Sequence, residues 1–255
     1  MAHRTIVFST VASKTASGWS SPSIDQNPEP KPLPRPDLPG VSRSGWSRFD
    51  TPGTTIYLAD DKRTAYAETL APTRVGKEFR SAVTFAAEQF GISQDEARAL
   101  IEEDWIRNGN MVPGWLPANW RDGRLMYQLR MDSPAPWVDL TAAETVAALN
   151  RSLGQAFDEQ LGIPEITLGT LTGDNREATT LIAQWIREQV LDDGSYPAGV
   201  RFHSKYGGGA CWAYWLRRTD NGLGTEPVDI VSEEEIHPHD ADLDYVLKLY
   251  DTSSR

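Results

Sequence analysis

Three residue types able to do chemistry stand close together in the first third of the chain: Arg48, Tyr57 and Glu68. A guanidinium presents a planar fork to an oxyanion, which an ammonium matches less well. A tyrosine offers an aromatic face and a hydroxyl. A fixed carboxylate can stabilise positive charge that develops in a transition state. The elements that must hold these groups are legible around them. Pro52-Gly53 reads as a turn, and Ile56, Leu58 and Ala59 as a short buried strand behind it. Asp60-Asp61 is a helix-start signal, and Thr64 to Leu70 reads as a helix with Ala65 and Leu70 on its apolar side. The arginine thus precedes a strand, the tyrosine starts it, and the glutamate rides on the next helix. By type alone the same residues also fit a surface Arg, a half-buried Tyr and a solvated Glu, because charged side chains are mostly exposed.

A second group lies far along the chain. Gly199-Val200-Arg201-Phe202-His203-Ser204 reads as a strand, followed by Gly207-Gly208-Gly209. Strand alternation puts Arg201 and His203 on one face and Phe202 and Ser204 on the other. The glycines form a turn first, and could also let backbone amides approach a pyrophosphate.

Taken in order, Ser47-Arg48-Phe49, Pro52-Gly53, Ile56-Tyr57-Leu58-Ala59, Ala65-Tyr66-Ala67-Glu68 and the Ser204 strand resemble the signature of the RES domain family. That family is named for an Arg, a Glu and a Ser. The resemblance implies an α+β domain related to the ADP-ribosyltransferase fold, with NAD as substrate and no metal. It implies catalytic roles for Glu68 and Ser204, and NAD-binding roles for Arg48, Tyr57, Gly207 and Gly208. Glu68 would stabilise charge on the ribose as the nicotinamide bond breaks, and Arg48 would hold the pyrophosphate. Tyr57 would stack on nicotinamide or hydrogen-bond to the ligand, and Ser204 would donate to ribose or orient Glu68. It further implies a bacterial toxin restrained by a helix-turn-helix (Xre-type) antitoxin. One departure is visible: Val7-Phe8-Ser9 stands where a Tyr-Arg or Trp-Arg pair is expected.

The acceptor of the ADP-ribose is left open between water, phosphate and a protein side chain, and a non-catalytic NAD-binding module is the alternative of a different class. Tyr66, two residues before Glu68, is not an acid or amide, which disfavours transfer to arginine and leaves water or phosphate. Arg48, Lys205 and the glycine turn are the candidate phosphate donors.

Other chemistries find no footing. No G-x-S-x-G elbow, Walker lysine motif or G-x-G-x-x-G helix opening occurs. His203 and Ser204 point to opposite faces and cannot form a Ser–His pair. His237-Pro238-His239-Asp240 has metal-ligand types, but the intervening proline makes it an exposed loop. A lone Cys211 excludes an intramolecular disulfide and reads as a small core residue. The net charge of −11 argues against broad nucleic-acid contact. No run of about 18 apolar residues suggests a membrane span, and the first residues lack the apolar core of a signal peptide. The expectation is a cytoplasmic protein.

The organisation follows from hydropathy. At 255 residues, 39% hydrophobic and with nine Trp, the chain can bury a sizeable core. Residues 5–11 read as a first strand. Prolines at 28, 30, 32, 34, 36 and 39 impose an extended loop that could wall a cleft ahead of Arg48. A weak strand is read within 73–85 on Ala82 and Thr84, and a capped helix from Ser93, carrying Ala97, Leu100, Ile101 and Trp105, to a stop at Asn108-Gly109. Residues 112–120 read as an aromatic loop. Further strands are expected at 125–131, 137–140 and 210–216. Helices are expected from the Thr141–Glu144 capping box to Gly154, and from Asn175 to Val190. Residues 1–255 are read as one domain with a helical insertion near 76–135. The oligomeric state is left open, a homo-oligomer included.

Overall fold

The computed structural model describes residues 6–13, 34–38, 40–107, 114–131, 136–206 and 208–254. Most of the proline-rich loop 28–39, the Asn108-Gly109 helix stop and Gly207 therefore lie outside the described residues.

The β-branched and aromatic runs become strands: β1 Ile6–Ser13, β2 Thr55–Ala59, β3 Trp115–Leu116, β4 Arg124–Met131, β5 Trp137–Asp139, β6 Gly199–His203, β7 Ala210–Trp215, β8 Val228–Glu235 and β9 Ser253–Ser254. Seven of them form one sheet in the order β5-β6-β7-β2-β1-β4-β8, antiparallel except for the parallel β5–β6 pair. β3 and β9 form a separate parallel pair.

The helices are α1 Lys62–Leu70, α2 Lys77–Phe90, α3 Gln94–Arg107, α4 Ala118–Asp122, α5 Ala143–Leu161, α6 Leu168–Thr172, α7 Arg176–Glu188, α8 Arg217–Asp220 and α9 Ala241–Leu249. The chain is thus α+β. None of its described helices is long and apolar enough to cross a membrane.

Both faces of the sheet are apolar, as the period of two in β7 shows. Cys211, Ala213 and Trp215 join a core built with α1, α5, α7 and α9, whereas Trp212 and Tyr214 join a second core made mostly of strand residues. The sheet closes over that second core by curling. Phe8 of β1 and Trp137 of β5 are four strands apart, about 19 Å in a flat sheet, yet their rings lie 6.3 Å apart. Between β1 and β2 the ladder is minimal: Ser9 and Ala59 are the one registered pair, and the Thr10 hydroxyl donates to Tyr57 O at 2.9 Å beside it.

Several expectations are corrected. Residues 77–90 are helix rather than a strand, because Phe79, Val83 and Ala87 recur at helical spacing and bury one face. The span 76–135 is not one insertion. α2 and α3 form a hairpin with its own small core, while β4 is an interior strand paired with β1 and β8. Within the aromatic stretch 112–120, the described residues include β3 and the start of α4. The Thr141 capping box does not form. Thr141 donates its amide and hydroxyl to Asp139 Oδ1 (2.8 and 2.6 Å) instead, and α5 continues past Gly154 to end at Gly162. α7 stops at Glu188, just short of the expected Val190.

Candidate active site

Where β1 and β2 part, a cavity of about 990 Å³ opens, walled by Arg48, Tyr57, Glu68, Arg176, Phe202 and Lys205 among others. Pro34, from the end of the proline-rich loop, also lines it. That loop end is anchored: Arg35 and Gly53 exchange both backbone hydrogen bonds (2.8 and 2.9 Å).

Arg48 sits on a segment without regular structure, so its position depends on side-chain bonds. Asp50 supplies most of them. Its buried carboxylate accepts from the Ser47 amide (2.9 Å), the Arg35 Nε (2.9 Å) and the Tyr57 hydroxyl (3.0 Å). The Tyr57 hydroxyl in turn accepts from the Phe49 amide at 3.0 Å, and Phe49 O accepts from the Trp215 indole at 3.1 Å. Burial, with the Asp50 carboxylate close by, raises the Tyr57 hydroxyl well above its ordinary range, so it remains a donor. The Tyr57 hydroxyl is engaged in holding the Arg48 segment, and Tyr57 is among the residues that line the cavity.

The turn behind this segment requires a glycine. Gly53 has φ +95°, and a Cβ there would overlap the Asp220 carboxylate. That carboxylate accepts from the Thr54 amide (3.0 Å) and pairs with Arg187 (2.8 Å), whose other nitrogen donates to Thr51 Oγ1 at 2.7 Å.

Arg48 and Glu68 face each other, Nη2 to Oε1 at 3.7 Å, the arginine side chain 7% and the glutamate side chain 29% exposed. The Arg48 guanidinium also lies 5.0 Å from the Phe202 ring centroid. Each partner keeps a buried atom with no hydrogen-bond partner, Arg48 Nη1 and Glu68 Oε1. Orphaned polar atoms of this kind are uncommon in native interiors, and here both belong to residues on the wall of one cavity.

Ser204 is buried just past the end of β6, on the same face as Phe202. Its hydroxyl accepts from the Tyr206 amide (3.0 Å) and its amide donates to Gly209 O (2.8 Å). These bonds close the turn that places Lys205 and Tyr206 on the cavity wall. Gly208 is exposed, and Gly209 packs so tightly on the start of α1 that a Cβ would overlap Thr64 and Asp60. Arg201 points to the other side of the sheet and pairs with Asp139 at 2.6 Å. Cys211 lines the cavity, but burial and then the Glu68 and Asp60 charges push its thiol far up, which makes it a poor nucleophile. Among the described residues no cluster of His, Cys, Asp and Glu could hold a metal.

Sequence reasoning missed Arg176, the first residue of α7, which lines the cavity with Nη1 buried and unpartnered. Its only local signal is the Asn175 cap, which marks a helix start and not a site.

No protein-family profile matches the chain, and no curated protein matches it. Among solved structures the chain is similar to the M. tuberculosis MbcT–MbcA toxin–antitoxin complex, with 12% identity over 98% of this chain and 91% of that one, at a TM-score of 0.43.

Proposed function

We propose that this protein cleaves the nicotinamide–ribose bond of NAD, within a fold related to the ADP-ribosyltransferases. The observation that carries the reading is the Arg48–Glu68 pair at 3.7 Å on the cavity wall, with a buried, unpartnered atom on each side. The motif resemblance stated above supports it, and the cavity volume falls in the range of small-molecule and cofactor sites. In this mechanism Arg48 holds a pyrophosphate oxygen pair. Nicotinamide leaves with the electron pair of its bond to ribose. Glu68 stabilises the positive charge left on the sugar, and a nucleophile then bonds to the ribose carbon.

Water or phosphate is the favoured nucleophile, over a protein side chain. Tyr66, two residues before Glu68, is fully buried and is not an acid or amide, so that position supplies no second carboxylate to orient a protein acceptor. Following NAD by proton NMR, with and without phosphate, tests this. Steady loss of NAD with release of nicotinamide is expected. An unchanged NAD spectrum would support a binding module instead, and a labelled protein band that depends on Glu68 would support protein modification.

Arg48→Ala should chiefly weaken NAD binding, because its contact exists before and during reaction. A loss of about 2–4 kcal/mol in calorimetry is expected, and wild-type affinity would refute the assignment. An enzyme of this kind acts as a toxin unless restrained. Its partner is a helix-turn-helix (Xre-type) antitoxin that covers the cavity or fills the Arg48 site with an acidic group.

A further inference from the structure

Three cations share one stretch of the cavity wall: Arg48, Arg176 and Lys205. The loop between α6 and α7 sets a single carboxylate against them. Asp174 Oδ1 lies 2.5 Å from Lys205 Nζ and 3.4 Å from Arg176 Nη2. Asp174 and Arg48 differ in burial, and the two cations in the contact stand between them, the Lys205 side chain 22% and the Arg176 side chain 26% exposed. The Asp174 side chain is 75% exposed, whereas Arg48 is 6% exposed, and both arginines keep a buried Nη1 with no partner. The anion now present therefore leaves the inner donors unsatisfied. Its hydrogen bond to Lys205, with the Lys205, Arg176 and Arg48 charges, holds the Asp174 carboxyl below the usual range.

We propose that Arg48, Arg176 and Lys205 form a seat for the diphosphate of a nucleotide, and that Asp174 occupies its outer part as a built-in competitor which the ligand displaces. The inference rests on the cavity being a nucleotide site, but not on bond cleavage. Two guanidinium forks suit two linked phosphoryl groups, with Lys205 adding a point charge at the rim. Exposed ion pairs are weak, so Asp174 yields readily to an anion that also reaches the buried nitrogens. In a chain of net charge −11 such a competitor also discriminates against singly charged anions, which could not engage all three cations.

Calorimetry on the full chain with ADP and, separately, inorganic phosphate tests the seat. Asp174→Asn should bind ADP roughly three- to tenfold more tightly, and Arg176→Met at least about tenfold more weakly. Asp174 is exposed, so its variant should fold and decides the matter alone if Arg176→Met does not. Unchanged or weaker ADP binding by Asp174→Asn would overturn the proposal. So would a gain seen for inorganic phosphate but not for ADP. NAD consumption measured alongside separates the two readings: cleavage with no change in ADP affinity sinks the seat alone, and an ADP gain without cleavage sinks the enzymatic reading alone.

Discussion

Glu68→Gln is expected to fold normally and to bind NAD nearly as well as the parent, while turnover falls by about a hundredfold or more. The substitution keeps the shape of a side chain that is 29% exposed and lies on α1, whose N-terminus is separately capped by Asp61. In the proposed mechanism it removes the negative charge beside the ribose, which matters most once positive charge has developed there. The kinetic pattern should follow: a lower kcat with little change in KM. Thermal denaturation confirms folding, and NAD loss by NMR gives the rate. A folded variant that consumes NAD at the parental rate would remove Glu68 from the mechanism.

The second large effect concerns Asp50, which need not touch the ligand. Asp50→Ala leaves the Ser47 amide, the Arg35 guanidinium and the Tyr57 hydroxyl without their acceptor at a buried site. A destabilisation of about 3 kcal/mol is expected in urea unfolding, since bonds to a buried charged acceptor are among the stronger ones. Partial solvent access of Arg35, 33% exposed, keeps the value below that of a fully buried pair. Activity should fall further than stability alone explains, because Arg48 loses the scaffold that aims it. A variant within about 1 kcal/mol of the parent and fully active would show that the segment is held by other bonds.

Much of this site was legible in the chain because its supports are local. The Pro52-Gly53 turn, β2 and α1 follow one another in sequence, and they carry Tyr57 and Glu68 as their punctuation predicts. β6 and β7 were legible for the same reason. What escaped is whatever depends on partners distant in sequence. β8 carries Asp229, Glu233, Glu234 and Glu235 and lies at the sheet edge, so only Val228 and Ile230 mark it as a strand packed on the core. α9 was obscured by reading His237 to Asp240 as an exposed loop, although Asp240 is the cap of that helix and accepts from the Leu243 amide at 3.0 Å. Arg176 reached the site only through the tertiary placement of α7, and Thr141 ignored its capping pattern because Asp139 was the nearer acceptor. Asp50, the organiser of the Arg48 segment, was not singled out in the sequence, since two of its three donors, Arg35 and Tyr57, lie outside its own turn.

The parting of β1 from β2 has a consequence for how amide protons exchange with solvent. A sheet usually protects its centre best and its edges least. Here the seam between β1 and β2 lies in the interior of the strand order, with one registered pair across it. The sheet should therefore open as two cooperative blocks, β5-β6-β7-β2 and β1-β4-β8, each protected within itself. Amides of β2 bonded toward β7 should exchange slowly, while those facing the seam exchange quickly. A nucleotide bound in the cavity would bridge the two blocks and slow the seam amides selectively.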